Sequence, residues 1–231
     1  MIPSALSPLD TPDLAAVLLI VVAWIVSGRL VEHPPKSRLS VSVLMQEYRR
    51  DWMRHFVTRQ PRMFDGVLIN SLRQATAFLV STSMIAIGGC VAMIRNAPQL
   101  EDLTHNVALL QGTQMVEVKL VLTVSFLANA LLKFIWSHRL FGYCEILMAS
   151  VPNDITDPLA YHRAGQAGEV NVQAAKQFNR GLRSIYFALG SLGWILGPWA
   201  LMITTLLTTM TLLRREFASV SRRVILDKPK V

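Results

Sequence analysis

The stretch SIYFALGSLGWILGPWALMITTLLTTMTLL, residues 184–213, carries no Asp, Glu, Lys, Arg or His over thirty consecutive positions. A continuous helix of that length reaches about 45 Å, against about 30 Å of bilayer hydrocarbon, and no soluble core asks for that. Arg180 and Arg183 precede it and Arg214 and Arg215 follow it, as expected where a span meets lipid headgroups. Gly197-Pro198 lies near the middle. A proline there removes one helix hydrogen bond and crowds the carbonyl of Trp194, so a kink is expected. The chain reads as an integral membrane protein.

Composition agrees. Of 231 residues, 52% are hydrophobic and 16% charged, with mean hydropathy +0.39, more apolar than one soluble domain needs to be. The formal charge of +8 points, in such a chain, to loops facing the cytoplasm and anionic lipid, and not to nucleic acid. Cys90 and Cys144 are far apart and form neither a metal-binding spacing nor a disulfide framework; both read as small apolar residues.

Residues 1–10 hold no Lys or Arg, so the positive start of a cleaved signal peptide is missing. Thr11-Pro12-Asp13 then reads as a helix start with Thr11 as N-cap, opening a first span over about 12–31. With positive charge only after it, this span is an uncleaved anchor that leaves the N-terminus outside, in the inner (plasma) membrane of a bacterium. Pro34-Pro35 ends it. Val41, Leu44, Met45, Tyr48, Trp52 and Phe56 follow at helical spacing, with Gln46, Glu47, Arg50 and Arg54 opposite. That pattern predicts a basic amphipathic helix over about 40–57, lying at the cytoplasmic interface or packed on the protein's own spans or another subunit. Arg49, Arg50, Arg54 and Trp52 are its candidate contacts to anionic lipid.

A second span is expected over about 69–94, with Arg73 in its first turns, and a third over about 117–137, continuing as helix into the cytoplasm. Asn129 is the deep polar residue of the third, with Lys133 at the inner interface. Pro152 to Pro158 reads as a turn, and a helix from Glu169 to Gly181 leads into a last span over about 183–213. The linker from Arg29 to Leu68 holds eight basic and four acidic residues, so it belongs inside; the connection after Arg95 is poor in positive charge and belongs outside. Four spans then leave the C-terminus outside, against a tail with six basic residues and two acidic ones. A hairpin turned at Gly197-Pro198 would resolve that conflict, but its arms are short. Four crossings are the expectation, in a single all-α membrane bundle over residues 1–231.

The run from Asn179 to Phe187, continuing through Trp194 to Pro198, resembles a signature of a family of uncharacterised membrane proteins of bacteria and plants grouped as a domain of unknown function. Phe126-Leu127-Ala128-Asn129 and the segment up to Val151-Pro152 resemble its third span. The resemblance implies a multi-span membrane fold and brings no catalytic residue with it.

The motifs of phosphate-binding loops, zinc-dependent hydrolases and serine hydrolases are not found, and no catalytic, cofactor or metal-binding residue is assigned. Gly193 and Gly197 match the small-x-x-x-small spacing of closely packed membrane helices, with Pro198 beside them. Arg73, Asn129 and Lys133 are the intramembrane polar candidates. The reading with most support is a non-enzymatic accessory or scaffold subunit, self-associating or packed in a larger membrane assembly. The alternative is an oligomeric channel or transporter. A lipid-modifying enzyme using His55, Asp51, Asp65, His138 and Glu145 has no spacing behind it.

Overall fold

A computed structural model describes residues 10–96 and 116–227. It is all helical over those residues: α1 (Thr11–Glu32), α2 (Val41–Thr58), α3 (Met63–Arg95), α4 (Val116–Ala149), α5 (Leu159–Ser191), a 3-10 turn (Leu192–Leu196), α6 (Pro198–Phe217) and α7 (Val220–Leu226). The connection expected outside the membrane falls mostly on residues beyond those described.

Among the described residues, three helices are long and apolar enough to cross a bilayer: α1, α3 and α4. The expected fourth crossing over 183–213 does not form. The run is broken where α5 tightens into the 3-10 turn and Gly197 takes φ 119°, a conformation side chains with a Cβ rarely adopt. Pro198, with φ preset and no N–H to satisfy, starts α6 in the opposite direction. Thr204 Oγ1 donates to the Gly190 carbonyl at 2.7 Å, and the Arg215 guanidinium reaches the Tyr186 hydroxyl. These pairs, fourteen and twenty-nine positions apart, define an antiparallel hairpin, so the kink expected at proline is a full reversal.

The hairpin brings α6 back to the end of the bundle where α2 lies. There Glu216 accepts from the Ser42 amide at 3.0 Å and its hydroxyl at 2.8 Å, Arg38 donates to the Phe217 carbonyl at 3.3 Å, and Arg222 to the Leu39 carbonyl at 2.9 Å.

The central pair is α4 and α5. Ala160, Ala164, Ala167, Asn171, Ala174, Gly181 and Ala188 are buried at spacings of four and three residues and then of seven, a stripe small enough for α4 to approach closely. Gly181 marks the nearest approach, since a Cβ there would stand 2.6 Å from a Phe134 ring carbon. Two apolar cores lie along this pair. One joins Met53, Phe56 and Val57 of α2 to Ile69, Phe141, Cys144 and the alanines of α5. The other joins Ala16 and Ile20 of α1 to Phe126, Phe187, Trp194 and Leu201. Helix α5 starts ten residues before the expected Glu169, because Gly165 and Gly168 are helical; Gly168 faces Met53, 3.4 Å from where its Cβ would be.

Two local readings shift. The N-cap of α1 is Asp10, one residue before Thr11, whereas Ser40 caps α2 and accepts from the Val43 amide. On α2 the buried face is rotated from the expected stripe: Met53, Phe56 and Val57 are buried, while Met45 and Tyr48 are exposed.

Candidate functional site

Where α1 leaves its apolar stretch, α1, α4 and α5 enclose a cleft of about 300 Å³. Glu32 sits in its wall and receives two arginines from one face of α5. Arg180 grips both carboxylate oxygens, Nε at 2.9 Å and Nη2 at 2.5 Å, and Arg183 Nη2 donates at 2.7 Å. Spacing of three residues puts both guanidinium groups on the same side of a helix. Gly28 admits the second of them, because a Cβ there would stand 3.3 Å from the Arg183 guanidinium.

From α4 come Asn129 and Lys133, one turn apart and both lining the cleft. Asn129 Oδ1 accepts from the Ser184 hydroxyl at 3.1 Å. With Arg29 at the rim, four cations face the single carboxylate of Glu32. The cleft is therefore strongly electropositive.

Arg73, the third intramembrane polar candidate, is not part of this cleft. Its guanidinium donates to Glu145 Oε2 at 2.6 Å, and its own carbonyl lies 3.4 Å from His138 Nδ1. The carboxylates expected near His55 and His138 are each held by a different cation. Asp65, with no exposed side-chain surface, takes the Arg59 guanidinium and the Trp52 indole N–H at 2.6 Å, while Asp51 pairs with Arg54 at 3.1 Å. Among the described residues no group of three or more His, Cys, Asp and Glu converges as metal ligands would.

The lipid candidates of α2 also have protein partners. The Arg49 head group contacts Asn171 Oδ1, and burial pushes its pKa down. Arg50 donates to Glu169 at 2.5 Å; that bond pulls the Glu169 carboxyl below its ordinary value and raises Arg50. Arg54 remains the most exposed of the set, with 73% of its side chain accessible. Of the packing candidates, Gly193 lies against α6, where a Cβ would stand 2.6 Å from Thr204 Oγ1, while Gly197 has nothing within 4 Å and is needed for its backbone conformation.

Glu32, Arg180 and Arg183 were not foreseen as one site. The available signal was two arginines three apart on a helix, and a lone acidic residue ending an apolar run.

Three candidate spans, a reversed hairpin and a basic cleft fit a helical membrane protein. The chain matches the family model described as "Protein of unknown function, DUF599" over residues 15–221 and belongs to that family. No curated protein and no solved structure matched it.

Proposed function

We propose that the protein is a non-enzymatic accessory or scaffold subunit that packs, through α3, against copies of itself or a larger membrane assembly. The surface of α3 carries this reading. Only 6% of its most apolar window is buried inside the chain, and Phe78, Met84 and Ile85 stand exposed. Gly88 and Gly89 face outward with nothing within 4 Å of a Cβ built there, so a second helix can approach to backbone contact. Lipid alone covers apolar side chains equally well, and the paired glycines are what favour a helix.

Charge supports an orientation. An outer N-terminus and three crossings put the 36–62 segment, α2, the start of α5 and the basic tail on the cytoplasmic side of a bacterial inner membrane. The hairpin removes the conflict that four crossings created, since every basic segment then lies inside. Arg50 and Arg54 of α2 stand where anionic headgroups are found, and Trp52 beside them.

A conducting or transporting role is the second reading, favoured by the cleft that holds Asn129 and Lys133. The deciding experiment places single cysteines at Gly88 and Gly89 in a chain lacking Cys90 and Cys144, and cross-links them in native membranes. Adducts between copies, or to one reproducible partner, are expected. A protein that stays monomeric and free of adducts in lipid overturns the scaffold reading.

A further inference from the structure

The cleft between α1, α4 and α5 has properties that scaffolding does not use. Its volume, about 300 Å³, suits a small polar group. Glu32 is already shared by Arg180 and Arg183, and Lys133 and Arg29 join no ion pair among the described residues. The Nε of Arg183 is buried without an acceptor, although its side chain is only 11% exposed. An unmet guanidinium N–H in such a place is costly. Asn129 engages Ser184 through its oxygen, which leaves its amide N–H groups for a further acceptor. Apart from His33, whose ring can accept as well as donate, the unpaired polar side chains of the lining are donors or cations.

The mouth is different. Ile25, 45% exposed, forms an apolar lip on α1, beside Trp24, whose ring packs edge-on against Phe126. The polar floor lies where α1 runs out of apolar sequence, at headgroup depth. From cations behind and hydrocarbon in front, we infer that the cleft holds the phosphate of an anionic phospholipid. Lys133 and Arg183 donate to the phosphate, Asn129 adds a neutral donor, and one acyl chain lies along Ile25. The site is separate from α3, so oligomer size and lipid binding are read independently.

The test uses the full chain in detergent, titrated with phosphatidylglycerol, phosphatidylcholine or inorganic phosphate, with occupancy read by native mass spectrometry and unfolding by heat. The parent protein is expected to retain phosphatidylglycerol over phosphatidylcholine. Lys133→Gln, which breaks no ion pair, is expected to weaken phosphatidylglycerol binding about tenfold, the loss of one charge-assisted contact, with lipid-free thermal stability unchanged. Arg183→Gln is expected to weaken it further, its fold checked by the same melt because Glu32 loses a partner. Arg95→Gln, in the last turn of α3 and away from the cleft, is the control and is expected to bind like the parent. Equal phosphatidylglycerol occupancy in Lys133→Gln and the parent overturns the inference, as does equal retention of both lipids. Stabilisation by inorganic phosphate with no response to phosphatidylglycerol also overturns it, since the site then serves a free oxyanion.

Discussion

The indole N–H of Trp194 donates to the Asp13 carboxylate at 2.6 Å, across 181 positions of sequence. Trp194 belongs to the turn at the hairpin tip, and Asp13 to the first turn of α1. At the other end of the same helix Glu32 takes Arg180 and Arg183. The hairpin is therefore fastened to α1 at both ends, and apolar contacts of Ala16 and Ile20 with Phe187 and Leu201 fill the length between.

Removing the tip fastening has a predictable cost. Trp194→Phe keeps most of the ring and deletes the donor, leaving Asp13 with one partner fewer; a hydrogen bond to a charged group is worth about 1.5–3 kcal/mol. The melting temperature in detergent is expected to fall. An unchanged melt would mean that water satisfies Asp13 equally well.

The two hairpin glycines should fail for different reasons. Gly193→Ala drives a methyl into Thr204, and Gly197→Ala meets no atom but must hold φ 119°, a backbone strain on the order of 1–3 kcal/mol. Both are expected to lower thermal stability and leave oligomer size alone, because both positions act within one chain. A change in oligomer size in either variant would refute the intrachain assignment.

Carboxylates separate by burial. Glu32→Gln leaves two arginines facing each other and is expected to cost about 3 kcal/mol, as when one partner of a poorly solvated pair is lost. Glu169→Gln, whose partner Arg50 is well exposed, is expected to cost no more than about 1 kcal/mol. The Glu169 pKa is depressed in the folded chain, so its small contribution is present above the ordinary carboxylate value and is lost as pH falls through the folded one. Chemical unfolding of both variants at neutral and acid pH checks the order.

Sidedness follows from the hairpin. Cysteine reporters at Lys36 and Ser221, in a chain without Cys90 and Cys144, should label alike with an impermeant reagent in intact cells, both shielded. Opposite labelling would mean that residues 183–213 cross after all.

Much of this fold was legible. Apolar runs bounded by prolines and charges gave α1, α3 and α4, and Ser40 marked the start of α2. The hairpin was visible as Gly197-Pro198, yet the reversal is held by Gly193 against Thr204 and Trp194 on Asp13, which no local pattern carries. The start of α5 was hidden for a related reason. Gly165 and Gly168 read as breakers, but close contact with α2 at Gly168 repays a glycine inside a helix. The rotated face of α2 goes with Arg49, whose charge argued for anionic lipid while Asn171 of α5 receives it. Asn129 and Lys133 could be named because polar residues in an apolar run stand out. Their partners Glu32, Arg180 and Arg183 could not, because they lie about 150 positions from one another in pairs, and only the tertiary fold brings them together.

The clasp of the hairpin on α1 also sets an order of assembly. During synthesis α1 emerges long before residues 184–213, so it waits in the bilayer with Asp13, Glu32 and the Ala16–Ile20 face uncovered. The hairpin is thus a latch: the contacts of Trp194, Arg180, Arg183 and Leu201 with α1 can close only after residues 180–201 have been made.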